Sequence, residues 1–181
     1  MKRSVLVLVL VMVLAAAPAM AKEGIFFGAY LLPSVDISGV QVDSGSGYGF
    51  RLGLGFGRYF SIEGIYEKTR HDISGGGGTA HLTGVAVDGR FNFPLTSLDS
   101  AKVMTLEPYI LLGYGINYKL EGNGASSSGG GLRYGIGVEQ YLFRELSVNL
   151  GYTRTEVSFD SPINKDGTVR SVELGLIYHF L

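Results

Sequence analysis

The chain has 181 residues, with 15 Lys or Arg, 16 Asp or Glu and no Cys, so no disulfide holds it and no basic surplus suits it to nucleic acid. Charged residues make up 17%, below the ~25% usual in soluble proteins, and glycine, at 28 residues, has about twice its usual share of ~7%. Beyond the first segment no stretch is apolar for the ~20 residues that a membrane-crossing helix needs, so the chain either crosses no membrane or crosses one as a closed barrel.

In chain order the first element is a leader. Lys2 and Arg3 precede an apolar run from Val5 to Leu14, and Ala19-Met20-Ala21 makes a small-x-small cleavage site. Residues 1–21 are therefore expected to be a cleaved signal peptide rather than an anchor helix, because the run is too short to span a bilayer. With no Cys after the site, a lipid-anchored start is excluded. The mature part, residues 22–181, then keeps 13 basic against 16 acidic residues, a net charge of −3. It is expected to be exported and to form one domain.

Eight segments of period two follow, the period of a strand. "IFFGAYLL" is apolar on both faces, and its orientation stays open. "YGFRLGLGFG" sets Phe50, Leu52, Leu54 and Phe56 against Arg51 and three glycines. "FSIEGIYEK" sets Ile62 and Tyr66 against Glu63 and Glu67, and "HLTGVAVDGRFNF" sets Val85, Val87, Phe91 and Phe93 against Asp88, Arg90 and Asn92. "LEPYILLGYGINYKL" has an apolar face running from Leu106 through Leu112 to Tyr118 and Leu120, opposite Glu107, Gly113, Gly115 and Lys119. "LRYGIGVEQYLF", "LSVNLGYT" and the final "SVELGLIYHFL" repeat the pattern, with Arg133, Glu139 and Glu173 on their polar faces.

"RYFS", "PLTSLDSAKVMT" and "FREL" join these segments at one end. The Gly-, Ser-, Asn- and Asp-rich "ISGVQVDSGSG", "HDISGGGGTA", "EGNGASSSGG" and "DSPINKDG" join them at the other, and "SGGGG" and "ASSSGGG" are expected to be flexible loop tips. No helical period intervenes, so parallel crossovers are excluded and four successive hairpins remain.

Glycine decides which face is inside. The polar face carries Gly53, Gly55, Gly57, Gly113, Gly115, Gly135, Gly137, Gly151 and Gly175, while the other carries Phe, Leu, Ile and Tyr. Eight strands enclose a bore just wide enough for side chains to fill, and the bulky face does not fit there. The small, polar face points in, and the bulky face points out to lipid. The fold class is thus all-β, an eight-stranded antiparallel up-and-down transmembrane β-barrel. Its last strand must pair with its first.

The C-terminal "ELGLIYHF" resembles the assembly signal of outer-membrane proteins, with Glu173, Gly175, Tyr178 and Phe180 in its places. The whole of 22–181 resembles the small eight-stranded outer-membrane barrels of the OmpA transmembrane-domain and OmpX/Ail type. The resemblance implies residence in the outer membrane of a Gram-negative cell, contact with outer-membrane lipid and lipopolysaccharide, and delivery by the barrel assembly machinery. It also implies a monomer that meets host or envelope proteins through its outer loops.

Ten charged residues are expected to face the bore: Arg51, Glu63, Glu67, Asp88, Arg90, Glu107, Lys119, Arg133, Glu139 and Glu173. Buried charges must be paired or wet, so they read as a structural network, with Glu63, Arg90, Glu107 and Glu139 forming a plug near the terminal end. A gate or solute path is the functional alternative. His71, His81 and Ser74 near one loop are the material for a lipid-modifying site, and loop residues of this kind are more often bystanders. "GLGFG" and "GIGVE" lack the following helix that a phosphate loop requires. No catalytic residue, metal or cofactor is assigned. The expected role is envelope structure or surface interaction without catalysis. A narrow channel for small or apolar solutes is the alternative, and a lipid-modifying enzyme the remote one.

Overall fold

The computed structural model describes residues 24–180 apart from positions 58, 76, 94, 96–104, 123, 162 and 164. The expected leader, 1–21, and most of the expected connection 94–105 lie outside the described residues. Eight strands run in chain order: β1 (Gly24–Ser38), β2 (Gly45–Phe56), β3 (Phe60–Asp72), β4 (Thr79–Asn92), β5 (Leu106–Gly122), β6 (Ala125–Tyr141), β7 (Leu146–Phe159) and β8 (Lys165–His179). Each is antiparallel to its neighbours in sequence, and β1 pairs β8 from Phe26↔His179 to Ser38↔Thr168, which closes the barrel. Closure leaves no edge, which satisfies the backbone polar groups where neither water nor another strand is available.

The alternation read from the sequence sorts the side chains. Leu31, Leu52, Leu112, Ile136 and Leu176 stand on the outer wall, each more than half exposed. From Leu106 to Ile116 the apolar face of β5 rises about 25 Å along the barrel axis, taking ~3.3 Å per residue and a tilt of ~40°, which matches the lipid-facing band of membrane barrels. Tyr48, Tyr66 and Tyr114 mark its margin toward the loops, and Phe56, Tyr59, Phe91, Phe93, Phe143, Tyr178 and Phe180 mark its margin toward the termini. The orientation of β1, open in the sequence, is settled here: Phe26, Tyr30 and Leu32 point in, and Ile25, Phe27 and Leu31 point out.

Two expectations are corrected. The segment "ASSSGGG", 125–131, is not a loose tip but the first part of β6. β5 and β6 continue as a paired hairpin to Gly122↔Ala125, turned through Gly124 at φ +77°. Its glycines serve close strand approach, since a Cβ at Gly131 would overlap the Glu156 carbonyl oxygen of β7.

The second correction concerns β5 itself. The ladder to β6 shifts between Gly115 and Tyr118, and the ladder to β4 shifts at the same level, so Ile116 and Asn117 both face out. This bulge exchanges the faces of everything beyond it. Tyr118 and Leu120, expected outside, lie in the bore with 1% and 7% of their surface exposed. Lys119, expected in the bore, stands on the outer wall and pairs with Glu121 at 2.6 Å. β1 has a matching shift around Pro33 and Ser34, after which Val35 and Ile37 turn inward.

The bulges divide the bore into two storeys. Toward the loops it is filled by Leu32, Val35, Ile37, Ala80, Leu82, Tyr118, Leu120, Val157, Phe159 and Val169, with Val42, Ile73 and Ile163 from the connections packed on top. Toward the termini it is filled by charge.

Candidate functional site

Nine of the ten expected inward charges lie in the bore, each with 4% or less of its surface exposed: Arg51, Glu63, Glu67, Asp88, Arg90, Glu107, Arg133, Glu139 and Glu173. Lys119 is the exception, for the reason given above. The alternation of each strand delivers them, and the glycines beside them make room. Gly53 takes the Phe26 ring, Gly49 the Tyr30 ring, Gly137 the Tyr109 ring, and Gly84 and Gly115 the Tyr118 ring, while Gly175 lies against the Tyr30 Cβ.

Three guanidinium groups organise the carboxylates. Arg133 donates through Nε to Asp88 Oδ2 at 2.9 Å, and through Nη2 to Glu67 Oε1 at 2.9 Å and to Glu173 Oε1 at 3.0 Å. Its Nη1 donates to the Tyr118 hydroxyl at 2.9 Å. Arg51 takes the other oxygen of Glu173 at 2.6 Å and reaches Glu63 Oε2 at 3.2 Å. Arg90 reaches Glu63 Oε1 at 3.4 Å, ion-pairs with Glu139 and donates to Asn92 Oδ1 at 2.9 Å.

The result is one continuous chain of contacts. It runs from Asp88 and Glu67 through Arg133, Glu173, Arg51, Glu63 and Arg90 to Glu139. Most links join strands that are not neighbours, so the network ties opposite walls across the bore. Glu107 stands opposite Glu139 on the ladder between β5 and β6, at the terminal end of this chain.

Three cations meet five carboxylates in this chain, so hydroxyl donors supply the rest of the compensation. Tyr30 donates to Glu67 Oε1 at 3.1 Å, and Ser147 donates to Glu139 Oε1 at 2.6 Å. The Tyr30 ring also lies 4.7 Å from the Arg51 guanidinium carbon, and the Tyr109 ring 3.7 Å from that of Arg90. The sequence reading missed these tyrosines. The signal was present for Tyr109, which shares the parity of Glu107 and Gly113, but Tyr118 is invisible without the bulge.

His71 is buried, with one ring nitrogen 2.8 Å from Thr69 Oγ1 and the other 3.0 Å from the Asp43 carbonyl oxygen. His81 is exposed on the outer wall, and Ser74 donates to Asp43 Oδ1 at 2.7 Å. At the terminal mouth His179 Nε2 lies 2.9 Å from Glu139 Oε1 and 3.2 Å from Ser147 Oγ. Serine and carboxylate thus crowd the same ring nitrogen, whereas a relay needs them on opposite nitrogens. Ser147 is fully buried and spends its proton on Glu139.

Two cavities bracket the filled bore. The one at the terminal mouth, against Arg90, Glu139, Tyr141 and His179, holds about 20 Å³. The one at the loop end, between Val42, Ile73, Leu120 and Ile163, holds about 150 Å³. Among the described residues no group of His, Cys, Asp and Glu is arranged to hold a metal ion. The C-terminal motif is split by the wall: Glu173 joins the network, while Tyr178 and Phe180 face out with their rings 5.0 Å apart at the terminal rim.

No curated protein matches this sequence. Solved structures with the same fold include Neisserial surface protein A, at a TM-score of 0.63 and 14% identity over 87% of this chain and 98% of that one. Ail, the attachment invasion locus protein of Yersinia pestis, matches at 0.55 and 19% identity over 89% and 100%. OprG of Pseudomonas aeruginosa matches at 0.56 and 15% identity over 88% and 98%. At these identities the likeness is one of fold. The description "outer membrane protein beta-barrel domain" matches residues 6–180, nearly the whole sequence. Outer-membrane barrels in general carry short turns toward the periplasm and longer loops outside. The closed eight-stranded wall, its lipid-facing band and this match agree: the chain belongs to the outer-membrane β-barrel domain family.

Proposed function

We propose that this chain is an exported, non-catalytic, monomeric component of the outer membrane, closed to solutes, that acts in envelope structure or through its outer loops. The observation that carries this reading is the doubly filled bore. An ion network ties the walls together on the periplasmic side, and an apolar plug fills the side toward the loops. A solute path would have to break buried ion pairs and then part an apolar core. The absence of catalysis rests on the geometry at His71, His81 and His179, none of which sits between a serine and a carboxylate as a relay demands. In the same reading the leader is removed after Ala21. Tyr178 and Phe180 are read by the assembly machinery, and lipid and lipopolysaccharide surround the outer wall.

Planar-bilayer recording tests it. The wild type should give no steady conductance. Arg90→Ala leaves Glu63 and Glu139 without their shared cation, so it should either conduct or unfold at lower urea. A steady wild-type conductance would favour the narrow-channel alternative.

A further inference from the structure

The outer wall is not uniformly apolar beyond the tyrosine margin. Two residues past Tyr66, Lys68 faces out on β3, and the ladders set Lys68, Thr83 of β4 and Lys119 of β5 in one row. The next row toward the loops holds Arg70, His81 and Glu121. Three permanent cations and a histidine therefore share a patch three strands wide, about 10 Å across at ~4.8 Å per strand. Two carboxylates stand near them: Glu121, which Lys119 engages, and Asp72, two residues beyond Arg70 on β3.

Lys68 has no ion-pair partner among the described residues, and the one side-chain bond of Arg70 runs from Nη2 to Thr79 Oγ1 at 3.4 Å. The β5 bulge builds this patch. Without it Lys119 would lie in the bore, and the wall would carry the apolar Tyr118 and Leu120 here. The patch is also continuous with the lipid-facing band, so an anion reaching it from the side of the bilayer is one tethered to acyl chains. By contrast, Arg154 and Arg170 on β7 and β8 lie beside Glu156, which pairs with Arg154 at 3.2 Å, and opposite Asp36.

We propose that Lys68, Arg70, His81 and Lys119 form a seat for the phosphate of an outer-leaflet lipid headgroup. The lysine stems lie along the apolar wall with their ammonium groups at headgroup level, where a phosphate accepts charge-assisted hydrogen bonds from several donors at once. This inference rests on the outer-membrane reading above.

The test uses the folded full barrel in phosphatidylcholine vesicles carrying a minority of bisphosphorylated lipid A in both leaflets, so the result does not depend on which end faces out. Lipid retained on the extracted barrel is counted by native mass spectrometry, with folding checked by its heat-dependent gel shift. Wild type should retain lipid A in preference to phosphatidylcholine. Lys68→Ser, Arg70→Ser and Lys119→Ser should each lower that preference about fivefold. Arg154→Ser with Arg170→Ser should leave it unchanged. Dephosphorylated lipid A of the same acyl chains should not be enriched, and inorganic phosphate should not compete. Equal retention by the folded triple variant, or of the dephosphorylated lipid, would overturn the proposal. Loss through Arg154 and Arg170 instead would move the seat away from β3–β5 and overturn it as well. Orientation is read separately, by labelling a cysteine placed at Gly75 on intact cells. A periplasmic loop end there would sink the assigned orientation without touching the vesicle result.

Discussion

The two storeys of the bore are built on the same strands with the same two-residue period, yet one is filled with ions and the other with hydrocarbon. In the periplasmic storey Arg133, Arg51 and Arg90 each hold two or more carboxylates, most of them from strands that are not neighbours. In the outer storey Leu32, Val35, Leu120, Val157 and Val169 pack with no charge among them. The storeys meet at Tyr118 and Tyr30, whose rings fill space and whose hydroxyls reach Glu67. The contrast teaches that a narrow barrel can be closed by two unrelated means. Ion pairs specify which walls face each other, because each needs its own partner. The apolar plug is less particular, but it excludes the water that would weaken the pairs beneath it.

The contrast can be broken first at its largest expected effect. Arg133→Met keeps the volume but leaves Glu67, Asp88 and Glu173 buried without their common cation. Breaking buried pairs in this way costs about 3–5 kcal/mol. Urea unfolding in vesicles should show the loss, and a change under ~1 kcal/mol would mean that ion pairs do not hold the periplasmic storey.

In the outer storey Leu32→Ala should cost about 2–4 kcal/mol through the cavity it leaves, with the lower network intact. The same unfolding measurement, repeated at high salt, should return the same cost for Leu32→Ala, whose loss is not electrostatic. A strong salt dependence there would blur the two storeys into one.

A comparison of bore with outer wall follows. Leu112→Arg places a cation in mid-bilayer and should cost about 2–4 kcal/mol. At the neighbouring Gly113, any side chain meets Asp88 instead, so its penalty should come from crowding. Quencher contact with spin labels at the two positions should differ, and lipid exposure at position 113 would reverse the assignment of faces.

The smallest effect is expected at Lys119→Ser, which should leave the unfolding midpoint where it is. An unfolding loss like that of Arg133→Met would put Lys119 back in the bore and deny the bulge.

Period two in eight segments, with glycine confined to one face of most of them, was enough to read eight strands, four hairpins, the closure of β8 on β1 and the facing of the wall toward lipid. These features rest on local chemistry that any single strand displays: alternation, turn residues and the size of each face. The placement of nine acidic and basic residues in the bore follows from the same parity.

Partners, register and parity beyond an irregularity were decided only in three dimensions. Nothing in "LLGYGINYKL" announces that Ile116 and Asn117 share a face, because a bulge is a mismatch between two strands and belongs to neither alone. That one extra residue moves Tyr118 and Leu120 into the plug and Lys119 onto the wall. Which arginine holds which glutamate was equally out of reach, because Arg133 and Glu67 lie 66 positions apart and meet only when the barrel closes.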